Sequence, residues 1–159
     1  MKAIVMNGTG SREMLDYVER PDPVGGPGQA LVEIAFAGVN FMDIGARQGT
    51  VWKETPNPKI LGVEGVGRVV TVGDGVEGLT PGQRVAWVYM PGSYAERIAV
   101  PATSLVPVPD AIDDRTAASV MMQGLTASHF ATDFYPVQPD DVAFVHAPAG
   151  GLGLLLLVP

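Results

Sequence analysis

Val142-Ala143-Phe144-Val145-His146-Ala147-Pro148-Ala149-Gly150-Gly151-Leu152-Gly153 reads as a continuous apolar strand running into a glycine-rich turn. Such a strand is the kind buried in parallel sheets. A turn of this composition works by aiming the free backbone N–H groups of a following helix at a phosphate, inside a strand–turn–helix–strand unit of roughly 30 residues. Only six residues follow Gly153, so the opening of such a unit is present without its second strand. The expectation is a remnant of an α/β dinucleotide fold joined to a larger body of another kind.

Upstream, the pattern is that of a mainly β domain. Short β-like runs alternate with glycine and proline turns at close spacing up to about residue 110, as in a barrel or sandwich. Lys2–Met6 and Leu15–Arg20 read as strands. After the turn region Pro21–Gly28, the segment Ala30–Val39 alternates Val32, Ile34 and Phe36 against Leu31, Glu33 and Ala35, a half-buried strand. Asn40 caps a short helix Phe41–Gln48, with Asp43 in its first turn and Gly49 as the left-handed stop. Gly62–Gly73 is a further β run leading to a turn at Asp74-Gly75, and Pro81-Gly82 and Pro91-Gly92 introduce strands over Gln83–Tyr89 and Ser93–Val100. From residue 110 the period changes. Asp113 or Asp114 caps a helix through Arg115–Met122, and Gly124 separates it from a second helical stretch, Leu125–Phe134, closed by Pro136.

Composition narrows the function. The net charge of −7 opposes a phosphate-backbone binder, whose affinity comes from clustered Lys and Arg, so no nucleic-acid partner is expected. Cysteine is absent, which excludes disulfides, thiolate nucleophiles and sulfur-built zinc sites. His129 and His146 stand 17 positions apart with no HExxH-type companion, so no metal is expected. No run of 18 apolar residues and no signal-type leader occurs, which reads as a cytoplasmic chain with no membrane partner.

The motifs Ala37-Gly38-Val39-Asn40-Phe41-Met42-Asp43, Gly62-Val63-Glu64-Gly65-Val66-Gly67, Pro81-Gly82-Gln83-Arg84-Val85, Gly92-Ser93-Tyr94-Ala95-Glu96, Gln123-Gly124-Leu125-Thr126-Ala127 and Val145–Gly153 occur in that order. Together they resemble the zinc-independent, zeta-crystallin-like quinone oxidoreductases of the medium-chain dehydrogenase/reductase superfamily. The resemblance implies a GroES-like β-barrel catalytic domain over residues 1–123. It further implies the connecting helix and first strand-turn of a Rossmann domain over residues 124–153, and hydride transfer from NADPH to a quinone or other electron-poor alkene or carbonyl. It implies that Asn40, Asp43 and Trp52 border the substrate, that Asn40, Gln123, Thr126, Gly150, Gly151 and Gly153 serve the cofactor, and it names no obligatory acid or base. Each has a plainer alternative: Asn40 as helix cap, Asp43 as a partner of the helix dipole, Trp52 as packing. Gly45 stands where relatives often carry a tyrosine. The run Gly62-x-x-Gly65-x-Gly67 lacks the strand-to-helix context that gives glycines dinucleotide meaning.

The tail 154–159 admits two readings. Its leucines are the first turn of the helix a phosphate loop requires, in a chain cut short. Alternatively they are a short apolar strand returning to the barrel after an internal deletion, which a Val-Pro ending suits better. In either case Val142–His146 lacks parallel neighbours, and an unpaired strand recruits partners, so a homo-oligomer is expected. The competing function is an inactive, isolated GroES-like domain that only self-associates.

Overall fold

The computed structural model describes residues 1–51 and 57–157. The chain divides into two compact units, Met1–Ala118 and Ser119–Pro159.

The first unit is built from two antiparallel sheets. One is ordered β2-β1-β4, from Leu15–Glu19, Lys2–Met6 and Lys59–Ile60; the other is ordered β7-β3-β5-β6-β8, from Arg97–Pro101, Gln29–Ala37, Gly65–Val72, Arg84–Trp87 and Val106–Pro107. The segment 93–96 joins the sheets: Ala3 bridges Ala95, Ile4 N–H donates to Tyr94 O at 2.8 Å, and Ile34 N–H donates to Glu96 O at 2.9 Å. The five-stranded sheet carries a core of Ala30, Val32, Val69, Val85, Trp87, Ile98 and Val100 together with Leu105. Trp87 is fully buried, and its indole N–H donates to Ser93 Oγ at 2.9 Å, so its one polar atom is satisfied in the dry interior. A second cluster, Met6, Ala46 and Leu61, seats the helix α1, Phe41–Gln48.

The alternation read for β3 holds at Val32, fully buried, and at Ile34, packed on the core. It fails at Phe36. The β3–β5 register shifts between Ile34 and Phe36, and a bulge of this kind moves later side chains off the alternating face. Phe36 is exposed there, with the Arg115 guanidinium 5.9 Å from its ring centre. The turn at Asp74-Gly75 forms, with Gly75 at φ 76°, yet it belongs to the longer connection 73–83 between β5 and β6 rather than to a two-residue hairpin.

Of the two aspartates offered as caps for the next helix, Asp113 takes the position. Its Oδ1 accepts the Thr116 N–H at 2.9 Å, and these bonds hold its carboxyl below the ordinary range. The helix α2 runs over Asp114–Ser128 and does not stop at Gly124. A glycine inside a helix costs about 1 kcal/mol, which the flanking turns outweigh. Asp114 instead pairs with Arg84, at 2.7 Å from Nε and 2.7 Å from Nη2, and the same guanidinium donates to the carbonyls of Pro109 and Ile112.

In the second unit α2 ends in a π-helical turn, His129–Phe134, and a last helix, α3, covers Gly151–Leu156. Two expectations are overturned. Val142–His146 enters no ladder: among the described residues of this unit there is no strand, and Val142 is 99 % and Phe144 84 % exposed. The apolar composition of a strand does not make one without a neighbour to bond. The tail is the second correction, because residues 154–156 are helical and do not return as a barrel strand.

Candidate functional site

The first site is assembled on α1. Asn40 stands at its N-cap and Asp43 at the third position. The Asp43 carboxylate accepts the Asn40 backbone N–H at 2.8 Å, satisfying a donor the helix start leaves open. The cap reading of Asn40 is therefore correct but incomplete. Its side-chain amide leaves the helix and donates to Glu64 Oε1 at 2.6 Å. Gly38 permits this, since a Cβ there would collide with the Glu64 carboxylate. Across the cluster, the Tyr94 hydroxyl donates to Asp43 Oδ2 at 2.6 Å.

These groups are dry: Asn40 is 8 %, Asp43 7 % and Glu64 1 % exposed. Burial, reinforced by the bond to Asp43 and the charges of Asp43 and Glu64, pushes the Tyr94 phenol well above its ordinary value near 10. The hydroxyl therefore stays protonated and keeps donating. The other Asp43 oxygen, Oδ1, is buried without a hydrogen-bond donor. Asn40, Asp43 and Tyr94 line a cavity of about 350 Å³ whose remaining walls are Leu15, Val39, Phe41, Ile44, Leu61 and Arg47.

Reasoning from sequence named Asn40 and Asp43 and missed Glu64 and Tyr94. A signal for Glu64 was present, because a carboxylate set among Gly62, Val63, Gly65 and Val66 has to be buried and hence paired. Trp52 lies outside the described residues.

The second candidate site is the glycine turn. Gly150, Gly151 and Gly153 line a cavity of about 960 Å³ with Phe130, Phe144, His146 and Leu156. Gly153 is buried, and a Cβ on it would run into Ala147 O and Pro148, so the helix start rests backbone on backbone against the turn. A Cβ on Gly151 would lie 3.2 Å from Gln123 Cγ, which places Gln123 beside the turn. The Thr126 hydroxyl is engaged within its own helix, donating to Met122 O at 2.7 Å. Residues 119–159 include three aspartates and neither Lys nor Arg, so this unit offers an anion backbone N–H groups and neutral polar side chains rather than Lys or Arg.

Two antiparallel sheets, with an amide–carboxylate–phenol cluster of Asn40, Asp43, Glu64 and Tyr94 gathered at the start of the helix after β3, are the frame of a GroES-like domain of the dehydrogenase kind. The chain belongs to the alcohol dehydrogenase GroES-like domain family, which matches residues 26–110. It is 35 % identical over 154 residues to a quinone oxidoreductase of Pseudomonas aeruginosa, covering 96 % of this chain and 47 % of the relative. It is 33 % identical over 156 residues to the human synaptic vesicle membrane protein VAT-1 homolog, covering 97 % of this chain and 40 % of that protein. Among solved structures, the quinone oxidoreductase of Escherichia coli complexed with NADPH superimposes with a TM-score of 0.92 at 31 % identity, over 98 % of this chain and 48 % of that one. The chain thus spans about half the length of the curated relatives it matches. Among the described residues no helix is long and apolar enough to cross a membrane.

Proposed function

We propose that this chain forms the substrate-side part of an oxidoreductase of the NADPH:quinone reductase type, reducing a quinone or another electron-poor alkene or carbonyl. The observation that carries the reading is the buried cluster of Asn40, Asp43 and Glu64, joined by the half-buried Tyr94, beside a mostly apolar pocket, in a chain similar to quinone oxidoreductases. NADPH supplies a hydride when bound. The residues present fit part of that cofactor. The close-packed turn at Gly150, Gly151 and Gly153 suits a pyrophosphate, and the family resemblance adds Asn40, Gln123 and Thr126 as cofactor contacts.

The chain's own groups then orient and dry the acceptor. Val39, Phe41, Ile44 and Leu61 hold an apolar ring, Glu64 fixes the Asn40 amide, and the family resemblance adds Asp43 and Trp52 as substrate contacts. Tyr94 is no proton donor to the acceptor, since its hydroxyl is committed to Asp43 and its phenol resists ionisation.

The lack of cysteine supports zinc-free chemistry and a cytoplasmic setting. The exposed stretch Val142–His146 supports self-association, and residues 124–153 stand as the connecting helix and first turn of a cofactor domain. A second reading, a GroES-like domain that binds no cofactor by itself and only self-associates, is favoured by the absence of any strand among the described residues of the second unit. Titration with NADPH separates them. Binding to the folded chain at 100 times Kd raises stability by about 2.7 kcal/mol and enhances nicotinamide fluorescence, whereas no shift at millimolar NADPH selects the second reading.

A further inference from the structure

Asn7-Gly8 ends β1 and opens the loop 7–14 that leads to β2. Of the three asparagines in the chain, Asn40 precedes Phe41 with its amide buried on Glu64, and Asn57 precedes Pro58, whose nitrogen carries no hydrogen. Asn7 alone is followed by a residue without a side chain, in a stretch, 7–11, that belongs to no helix or strand. Asn7 is exposed, and the Gly8 N–H has no hydrogen-bond partner among the described residues. The glycine nitrogen is therefore unshielded, and its backbone is permissive enough to turn toward the asparagine amide. That amide also holds the loop. Asn7 Nδ2 donates to Asp16 Oδ2 at 2.6 Å, and the Asn7 backbone N–H donates to Met14 O at 3.0 Å. Further along, the Gly10 N–H donates to Arg47 O at 2.9 Å and the Gly10 carbonyl accepts from Arg47 Nη1 at 2.8 Å, which fastens the loop to the last turn of α1.

We propose that Asn7 is a site of spontaneous deamidation, and that the carboxylate formed there releases the loop 7–14 from Asp16 and from α1. The Gly8 nitrogen attacks Asn7 Cγ; that C–N bond forms as the Cγ–Nδ2 bond breaks, and the amide nitrogen leaves as ammonia with the proton from Gly8. Water then adds to either carbonyl of the five-membered imide and opens it to aspartate or to isoaspartate. No electrons are exchanged, and water is the one co-reactant. At neutral pH the new carboxyl is ionised. Where an N–H met Asp16 Oδ2, an anionic oxygen then faces another, so an attraction becomes a repulsion. The isoaspartate product also adds a methylene to the main chain ahead of Gly8. Met14, at the far end of the loop, packs on the cluster of Met6, Ala46 and Leu61 that seats α1, and Arg47 lines the α1 cavity, so the disturbance reaches the walls of that pocket. The reaction runs one way, and the age of the molecule is written at this corner as charge. The proposal stands whether or not the chain is a reductase.

The test ages the whole folded chain at mildly alkaline pH and follows it by intact mass and peptide mapping. Expected is a gain of about 1 Da that maps to Asn7 as a mixture of isoaspartate and aspartate, with Asn40 and Asn57 unchanged. Asn7→Gln, which keeps an amide but enlarges the ring to be closed, suppresses the gain. Conversion at Asn7 no faster than at Asn40, or a product without isoaspartate, overturns the site. Hydrogen exchange reads the consequence separately. In Asn7→Asp, and in the aged parent, the Gly10 amide should exchange about tenfold faster while the amides of β3 keep their protection. Adding Asp16→Asn to Asn7→Asp replaces the repelling carboxylate by an amide and should restore the parental rate. Parental exchange in Asn7→Asp, or an acceleration that Asp16→Asn leaves in place, overturns the release of the loop.

Discussion

The two compact units differ in what their apolar stretches find to bond. In Met1–Ala118, β3 lies between β5 and β7 and its backbone is used on both edges, so Val32 sinks into a core with Trp87 and Val100. In Ser119–Pro159, Val142–His146 is as apolar as β3 and stays out of any ladder, its Phe144 ring turned edge-on to His146 at 4.8 Å. The difference teaches that apolar composition decides which residues seek burial, while a sheet exists only where a partner edge is supplied.

The contrast is sharpest in the cost of truncating an aromatic. Trp87→Ala is expected to destabilise by about 3–5 kcal/mol, whereas Phe144→Ala stays within about 0.5 kcal/mol. Urea unfolding of both variants measures this, and an equal loss breaks the comparison. Next in size is Glu64→Ala, which takes the acceptor from the buried Asn40 amide and should cost about 1–3 kcal/mol in the same assay. If Glu64→Ala melts with the parent, the dry cluster is not integral to the first unit.

A smaller, pH-bound effect belongs to Tyr94. Its folded phenol titrates above the ordinary value near 10, so its contribution to stability is complete below pH 10 and is lost as the pH rises beyond it. Melts between pH 9 and about 11.5 should show a steeper alkaline decline for the parent than for Tyr94→Phe. Identical slopes would mean that the phenol is wetter than its geometry indicates. More local is Gly153→Val, whose side chain meets Ala147 O and Pro148. Hydrogen exchange should quicken in residues 146–156 while the strands of the first unit keep their protection, and global stability should change by about 1 kcal/mol or less.

Where the deciding contacts are local, sequence is a good guide. The bounds of α1 follow from Asn40, Asp43 and Gly49, all within ten positions, and Gly49 takes the left-handed φ of 74° that the reading required. The mainly β character of the first unit follows from the spacing of its turns. Where the contacts are distant, the guide fails. Glu64 and Tyr94 join the site through partners 24 and 51 positions away, and only folding brings them together. Val142–His146 was misread for the complementary reason, since a buried parallel strand and an unpaired apolar segment share one composition. The bulge that turns Phe36 outward and the passage of α2 through Gly124 were hidden too, because both depend on packing around the residue.

Arg84 has a consequence for a protein without cysteine. Its guanidinium gathers Asp114 and two carbonyls across 30 positions of chain, and the Asn40–Glu64 and Tyr94–Asp43 bonds tie off two further loops. Each closure restricts the chain as a covalent cross-link would, but with a bond that forms and breaks reversibly. Thiol reductants have nothing to cut in such a fold.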